Sequence, residues 1–244
     1  MKLNMQNNNQ KTIPIFIGYD YRERAATNVL IDSLYQNTSY PLSITTLVKK
    51  QLVKQGFHNR ERDENQSTDF SFTRFLVPFL MNYEGWAIFM DCDMLCRSDI
   101  AELWDQRDEQ FSVLCVKHNH KPKEKIKFQG EVQTNYPKKN WSSLMLINCS
   151  KCKNLTIDYV NKASGLDLHR FNWLSSENEI GSISGKGWNH LLCSESDDYS
   201  RDTEEPKLVH WTLGGPWFKD QRNMGGNFSV EWFCARDEAM RLWD

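Results

Sequence analysis

The stretch AIFMDCDML, Ala87 to Leu95, decides how the rest of the chain is read. Ala87, Ile88, Phe89 and Met90 have the continuous apolar character of a buried strand, and the run stops at Asp91 and Asp93, two like charges one residue apart. Side chains alternate along a strand, so both carboxylates point the same way, and in an open α/β sheet the carboxyl end of a strand borders the ligand crevice. Paired carboxylates repel unless a cation lies between them. A hard divalent ion satisfies such a pair, and a pyrophosphate leaving group needs such an ion. The plain alternative is two solvated acids capping the next helix; Asp-x-Asp alone does not choose.

Outward from this stretch, helix and strand alternate. IPIFIGYD is a short apolar run closed by Gly18; in the following YRERAATNVLIDSLYQNT, Ala26, Val29, Leu30 and Leu34 recur at helical spacing. LSITTLVKK supplies a second strand. KQGFHNRERDENQSTD, over Lys54 to Asp69, is too charged to pack and is expected as an exposed loop or lid. FSFTRFLVPFLMNY carries a helical stripe with a kink expected at Pro78, and Gly85 separates it from the next strand. After the aspartates, SDIAELWDQ reads as a helix capped by Ser98 or Asp99. FSVLCV and SSLMLINC are strands on either side of a Lys-rich loop, LTIDYVNKAS a helix, WNHLL and KLVHWT short strands, and SVEWFCARDEAMRLWD a closing helix. The order predicts an α/β protein with a mainly parallel mixed sheet flanked by helices. All 244 residues are expected in a single domain, with residues 1–12 a disordered tail.

Composition narrows the class. Charged residues at 25% and a formal charge of -2 give no global pull toward nucleic acid or acidic membranes. No apolar run approaches the roughly 18 residues that cross a bilayer, and the start, MKLNMQNNNQKT, lacks the apolar core of a secretory signal. A cytoplasmic protein is expected, with peripheral membrane association still compatible. The seven cysteines are odd in number and lie mostly in apolar segments, as reduced thiols do.

Taken together, FTRFLVPFLMNYEGWAIFMDCDMLCRSDIAELW resembles the central segment of GT-A-fold glycosyltransferases, most closely glycosyltransferase family eight and its bacterial relatives. An Arg-bearing helix, an apolar strand, an Asp-x-Asp pair and a small helix follow in the same order. NWSSLMLINC is similar to that family's Asn-x-Gly-x-x-x-x-Asn strand, and VHWTLGGPWF to its His-x-x-Gly-x-x-Lys-Pro-Trp motif. The likeness runs from Ile13 to Trp217. It implies a Rossmann-like nucleotide-binding half, an acceptor half, a nucleotide-diphosphate sugar donor with UDP-sugar favoured, and manganese or magnesium held by Asp91, Asp93 and His210. By the same resemblance Gly18, Tyr19 and Asp20 meet the nucleoside, Arg74 reaches the diphosphate or donor sugar, and Asn140 and Ser143 line the sugar pocket. The implied activity is transfer of a hexose to a carbohydrate acceptor with retention, Asp93 and Arg74 having catalytic roles.

Two departures from the family stand out. Its Lys before Pro-Trp is replaced by Gly215 in a motif one residue shorter, which leaves phosphate contact to the amides of the Gly214-Gly215 turn or to Lys219. Its Asp-Gln pair near the reacting sugar carbon has no clean counterpart in FNWLSSENEIG, where Glu177, taken as catalytic, and Glu179 are the candidates. His210 read alone is an ordinary core histidine; its place before Gly-Gly-Pro-Trp makes it a ligand candidate. CSKC, Cys149 to Cys152, has no second pair at zinc spacing. Trp141, Trp173 and Trp217 lie near the site motifs, where an indole face stacks on sugars. The rival readings are a nucleotidyltransferase acting on sugar phosphates, which normally carries a Gly-rich phosphate loop, and a catalytically silent sugar-binding module, which needs no metal.

Overall fold

Ile13–Tyr19, alternately apolar and β-branched, forms strand β1, and a 3-10 turn capped by Asp20 leads into helix α1, Arg24–Gln36. A computed structural model describes residues 10–62, 66–118, 137–185, 187–192 and 205–241. After α1 come β2 (Leu42–Val48), α2 (Lys49–Lys54), α3 (Val77–Leu80), β3 (Trp86–Met90), β4 (Met94–Cys96) and α4 (Ile100–Trp104). The second half holds β5 (Val113–Cys115), β6 (Leu144–Asn148), α5 (Ile157–Lys162), α6 (Gly165–His169), β7 (Ile180–Ser182), β8 (His190–Leu192), β9 (Leu208–Trp211) and α7 (Asn227–Ala239).

Six strands form one sheet in the order β2-β1-β3-β6-β5-β7, and β4-β9-β8 form a second. In the large sheet β1 pairs parallel with β2 and β3, and β5 with β7, whereas β6 runs antiparallel to β3 and β5. This is the expected mixed α/β sheet. All five residues of β3 and of β6 are buried, as strands covered on both faces are. The α1 stripe faces inward: Ala26, Val29, Leu30 and Leu34 are all buried. A smaller cluster of Val29, Leu95, Val209, Trp211, Phe228 and Trp232 joins α1, the second sheet and α7.

The Ala87–Leu95 stretch is two strands rather than one. β3 ends at Met90, where the Asp91 amide turns to donate to Ser143 O at 2.9 Å. Two residues on, Trp211 N donates to Asp93 O at 2.9 Å, and the chain continues as β4 beside β9. One backbone contact of the aspartate bend thus belongs to each sheet, and the bend is the seam between them.

Other expectations need adjusting. Arg74 lies in a 3-10 turn, Thr73–Leu76, and Pro78 begins the short α3 instead of kinking a long helix, since its ring sets φ and its missing N–H is not needed there. The segment expected as an exposed lid is anchored by polar groups. His58, Gln66 and Thr68 are buried, and Arg60 lies over the Phe72 ring at 4.1 Å and donates to Val160 O at 2.8 Å. Its residues 63–65 lie outside the described residues, as do residues 1–9 of the expected tail and residues 119–136 of the Lys-rich loop. Gln10, within that tail, clasps Trp86 with both amide atoms, at 2.9 and 3.0 Å.

Candidate active site

Asp91 and Asp93 come from the bend between the sheets, and His210 from β9, directly opposite Met94. Cys92 between them points the other way, fully buried with its Sγ 3.9 Å from Glu23 Oε2. Burial first, then the carboxylates of Glu23, Asp93 and Asp91, push that thiol well above its usual range. Both aspartates therefore face one side. Asp91, Asp93 and His210 each offer a ligand atom within 4.8 Å of the others. His210 Nε2 lies 3.3 Å from Asp93 Oδ1 and 4.0 Å from Asp91 Oδ2. His210 is 2% exposed and Asp93 6%, and Asp93 Oδ1 accepts no hydrogen bond from any described residue.

Arg74 completes the cluster. Its Nη1 lies 2.8 Å from Asp91 Oδ1 and donates to Ser142 O at 2.8 Å, while the guanidinium packs between the Phe70 and Phe89 rings. It occupies one oxygen of Asp91 and leaves Oδ2 toward His210. Two carboxylates against one guanidinium leave a negative balance, which with an imidazole nitrogen suits a divalent ion.

The 140–143 turn stands beside this centre. Asn140 adopts a left-handed φ of 65°, and its Nδ2 is buried with no partner among the described residues. Ser143 Oγ donates to Asn140 O at 2.7 Å and accepts from Asn189 Nδ2 at 2.9 Å. Asn189, absent from every sequence motif, also meets His210 Nδ1 at 2.8 Å.

The remaining candidates divide. Gly18, next to last in β1, lies beside Phe70, whose ring a Cβ at Gly18 would strike, and Tyr19, which ends the strand, is half-buried. Asp20 is 1% exposed and fully engaged: Arg22 Nη2 lies 2.8 Å from one oxygen, and the amides of Arg22 and Asp69 donate at 2.9 and 3.1 Å. Burial alone raises its carboxyl, but these hydrogen bonds outweigh burial and hold it below the usual carboxylate range. Gly214 has a φ of 93°, and Gly215 is closed against the rings of Trp217 and Trp211. Glu177 is not joined to the cluster. Its exposed carboxylate pairs with Lys138 Nζ, two residues before Asn140. Glu179 is a cap, accepting the amides of Ser175 and Ser176 at 2.9 and 3.0 Å. Trp173 is core, whereas Trp141 and Trp217 are half-buried.

No family model matches the chain. Protein CDI of Arabidopsis thaliana is 47% identical over 211 residues, which span 86% of this chain and 81% of that protein. Among solved structures, the apo WbbM bifunctional glycosyltransferase aligns with a TM-score of 0.63 at 15% identity over 93% of this chain, which spans 50% of that one. The glycosyltransferase GlyE of Streptococcus pneumoniae gives 0.59 at 15% identity, over 96% of this chain and 61% of its own. The galactosyltransferase LgtC, in complex with donor and acceptor sugar analogs, gives 0.57 at 12% identity over 95% of this chain and 98% of its own. No helix among the described residues is long and apolar enough to cross a membrane. With the mixed sheet and the acidic bend that follows β3, these likenesses make the fold that of the GT-A glycosyltransferases, and by sequence the chain belongs to the family of Arabidopsis thaliana Protein CDI.

Proposed function

We propose that this chain is a metal-dependent glycosyltransferase that moves a hexose from a nucleotide-diphosphate sugar, UDP-sugar favoured, to a carbohydrate acceptor with retention, in the cytoplasm. The observation that carries the reading is the convergence of Asp91, Asp93 and His210, ligand atoms within 4.8 Å of one another, beside a single guanidinium. Manganese or magnesium fits that donor set, and when bound it takes up the negative charge that develops on the departing diphosphate. Asp91, Asp93 and His210 would hold the ion. Arg74 balances Asp91 and faces the diphosphate side, where its fixed charge costs no reorganisation during transfer.

The Asn140 amide, with a donor left over, binds a hydroxyl of the donor sugar. Ser143 has given its single proton to Asn140 O and so shapes the pocket by holding the turn. Gly18 and Tyr19 border the nucleoside, with Asp20 shaping that floor through Arg22 and the Asp69 amide. The Gly214-Gly215 turn contributes amides toward phosphate. Glu177 is the candidate nearest in role to a catalytic carboxylate at the anomeric carbon.

Titrating the purified protein with UDP, GDP, CDP and ADP, each with and without Mn2+, tests the reading. Binding of one nucleotide only when metal is present, followed by sugar release from the matching donor, is expected. Metal-independent binding to a sugar with no turnover would identify a silent module instead. Release of pyrophosphate from a nucleoside triphosphate and a sugar phosphate would identify a nucleotidyltransferase. The anomeric configuration of the product decides retention.

A further inference from the structure

A histidine offers a metal only the ring nitrogen that carries no proton, so the other nitrogen's partner decides whether the ligand is available. His210 Nδ1 lies 2.8 Å from Asn189 Oδ1. The far side of the same amide fixes which of its atoms is which: Asn189 Nδ2 lies 2.9 Å from Ser143 Oγ and 3.4 Å from the carbonyl of Asn140. A carbonyl accepts only, and the Ser143 hydroxyl has already donated to it at 2.7 Å. Both atoms require an N–H from Asn189, which leaves Oδ1 toward the imidazole. Only an N–H on Nδ1 answers that oxygen, so in the neutral ring Nε2 presents its lone pair to Asp93 and Asp91.

Asn189 is built into this place. It is 0% exposed and has a φ of 58°, a left-handed conformation that asparagine adopts more readily than most residues. Ser143, its partner, also accepts the Asp91 amide through its carbonyl at 2.9 Å. The one amide therefore links the His210 side of the centre to the turn that sets the Asp91 backbone.

We infer that Asn189 is a positioning residue of the metal centre: its side chain holds His210 in the tautomer whose Nε2 faces the two aspartates. This rests on reading Asp91, Asp93 and His210 as metal ligands, and the test separates the two claims. Long-range 1H–15N spectra of the metal-free protein, with His210 assigned by its loss in His210→Gln, give the tautomer directly. Wild type is expected to carry the proton on Nδ1. Asn189→Gly removes the amide yet tolerates the positive φ; it is expected to mix the tautomers and to weaken Mn2+ binding roughly 10- to 100-fold, the range for lost outer-sphere partners. Asn189→Asp keeps an acceptor for Nδ1–H and is expected to keep the proton on Nδ1 where Asn189→Gly does not. A loss of melting temperature with an unchanged tautomer and unchanged Mn2+ affinity would make Asn189 merely structural and overturn the inference, as would a wild-type His210 protonated on Nε2. An Asn189-dependent tautomer in a protein that binds no Mn2+, with or without nucleoside diphosphate, upholds the hold on the imidazole and overturns the proposed function instead.

Discussion

Asp20 and Asp93 each follow a strand of the sheet and each is almost fully buried, at 1% and 6% exposure, yet their surroundings are opposite. The protein itself fills the lone pairs of Asp20, with a guanidinium and two backbone amides. Asp93 Oδ1 accepts no hydrogen bond from any described residue and faces a second carboxylate and an imidazole. Burying a carboxylate without donors is costly, so the first arrangement is complete as it stands, whereas the second leaves an oxygen without a donor, as the proposed metal site requires. Burial and position relative to a strand do not distinguish a structural acid from a ligand. The count of donors does.

The largest effect is expected at the open site. Asp93→Asn should cut sugar transfer on the order of 100-fold or more, while the melting temperature holds or rises because a repulsion is relieved. Turnover near wild type with any donor breaks the comparison. At the closed site the outcome inverts: Asp20→Ala should leave Mn2+ affinity unchanged and cost about 3 kcal/mol of stability, through a lost cap and the loss of the charge-assisted hydrogen bonds from Arg22. The Asp20 carboxyl is held below its ordinary range when folded, so its contribution is present above the unfolded value of about 3.9 and lost as pH falls through the folded one. Denaturant titrations of both proteins at neutral and acid pH should therefore converge in acid.

His58 sharpens the comparison by a third case, a buried group that meets its lack of partners by staying neutral. It is 1% exposed, and its Nδ1 has no hydrogen-bond partner among the described residues. Burial first, then the charges of Lys49 and Arg60, push its pKa down to about 4. The unfolded chain takes up the proton sooner, so stability is full above about pH 6.5 and falls below it, by about 2 kcal/mol between pH 7 and 5. His58→Leu should flatten that slope in chemical denaturation; an unchanged slope assigns it to other groups. The smallest effect on stability is expected at Glu177. Its exposed pair with Lys138 is worth less than about 0.5 kcal/mol, so Glu177→Gln should leave the melting curve in place, and any fall in turnover belongs to chemistry.

Much of this arrangement was legible in the sequence. The apolar runs of β1, β3 and β6 and the α1 stripe are local patterns, and each became the element they predict. Asp91, Asp93 and His210 were named from motifs and meet in space. What was not legible depends on tertiary hydrogen bonds. AIFMDCDML shows the apolar run stopping at Asp91 but not that a strand of a second sheet follows, because that strand is placed by β9, about 120 residues away along the chain. Nothing in GKGWNHLL marks Asn189, whose partners are 21 and 46 residues distant. Asp20 was read with the nucleoside site from the family resemblance, and the donors that satisfy it, Arg22 and the Asp69 amide, come partly from a segment expected to be loose.

The central claim is that the cluster on the seam between the two sheets is a three-ligand metal site, and His210 tests it most directly, since two acids alone do not need the histidine. Mn2+ affinity measured by titration calorimetry on wild type, His210→Ala and Asp20→Ala decides it. Wild type and Asp20→Ala are expected to bind alike, with His210→Ala weaker by roughly tenfold or more, as loss of a ligand requires. If His210→Ala binds Mn2+ as tightly as wild type, the histidine is a core residue and the metal site as described here is wrong.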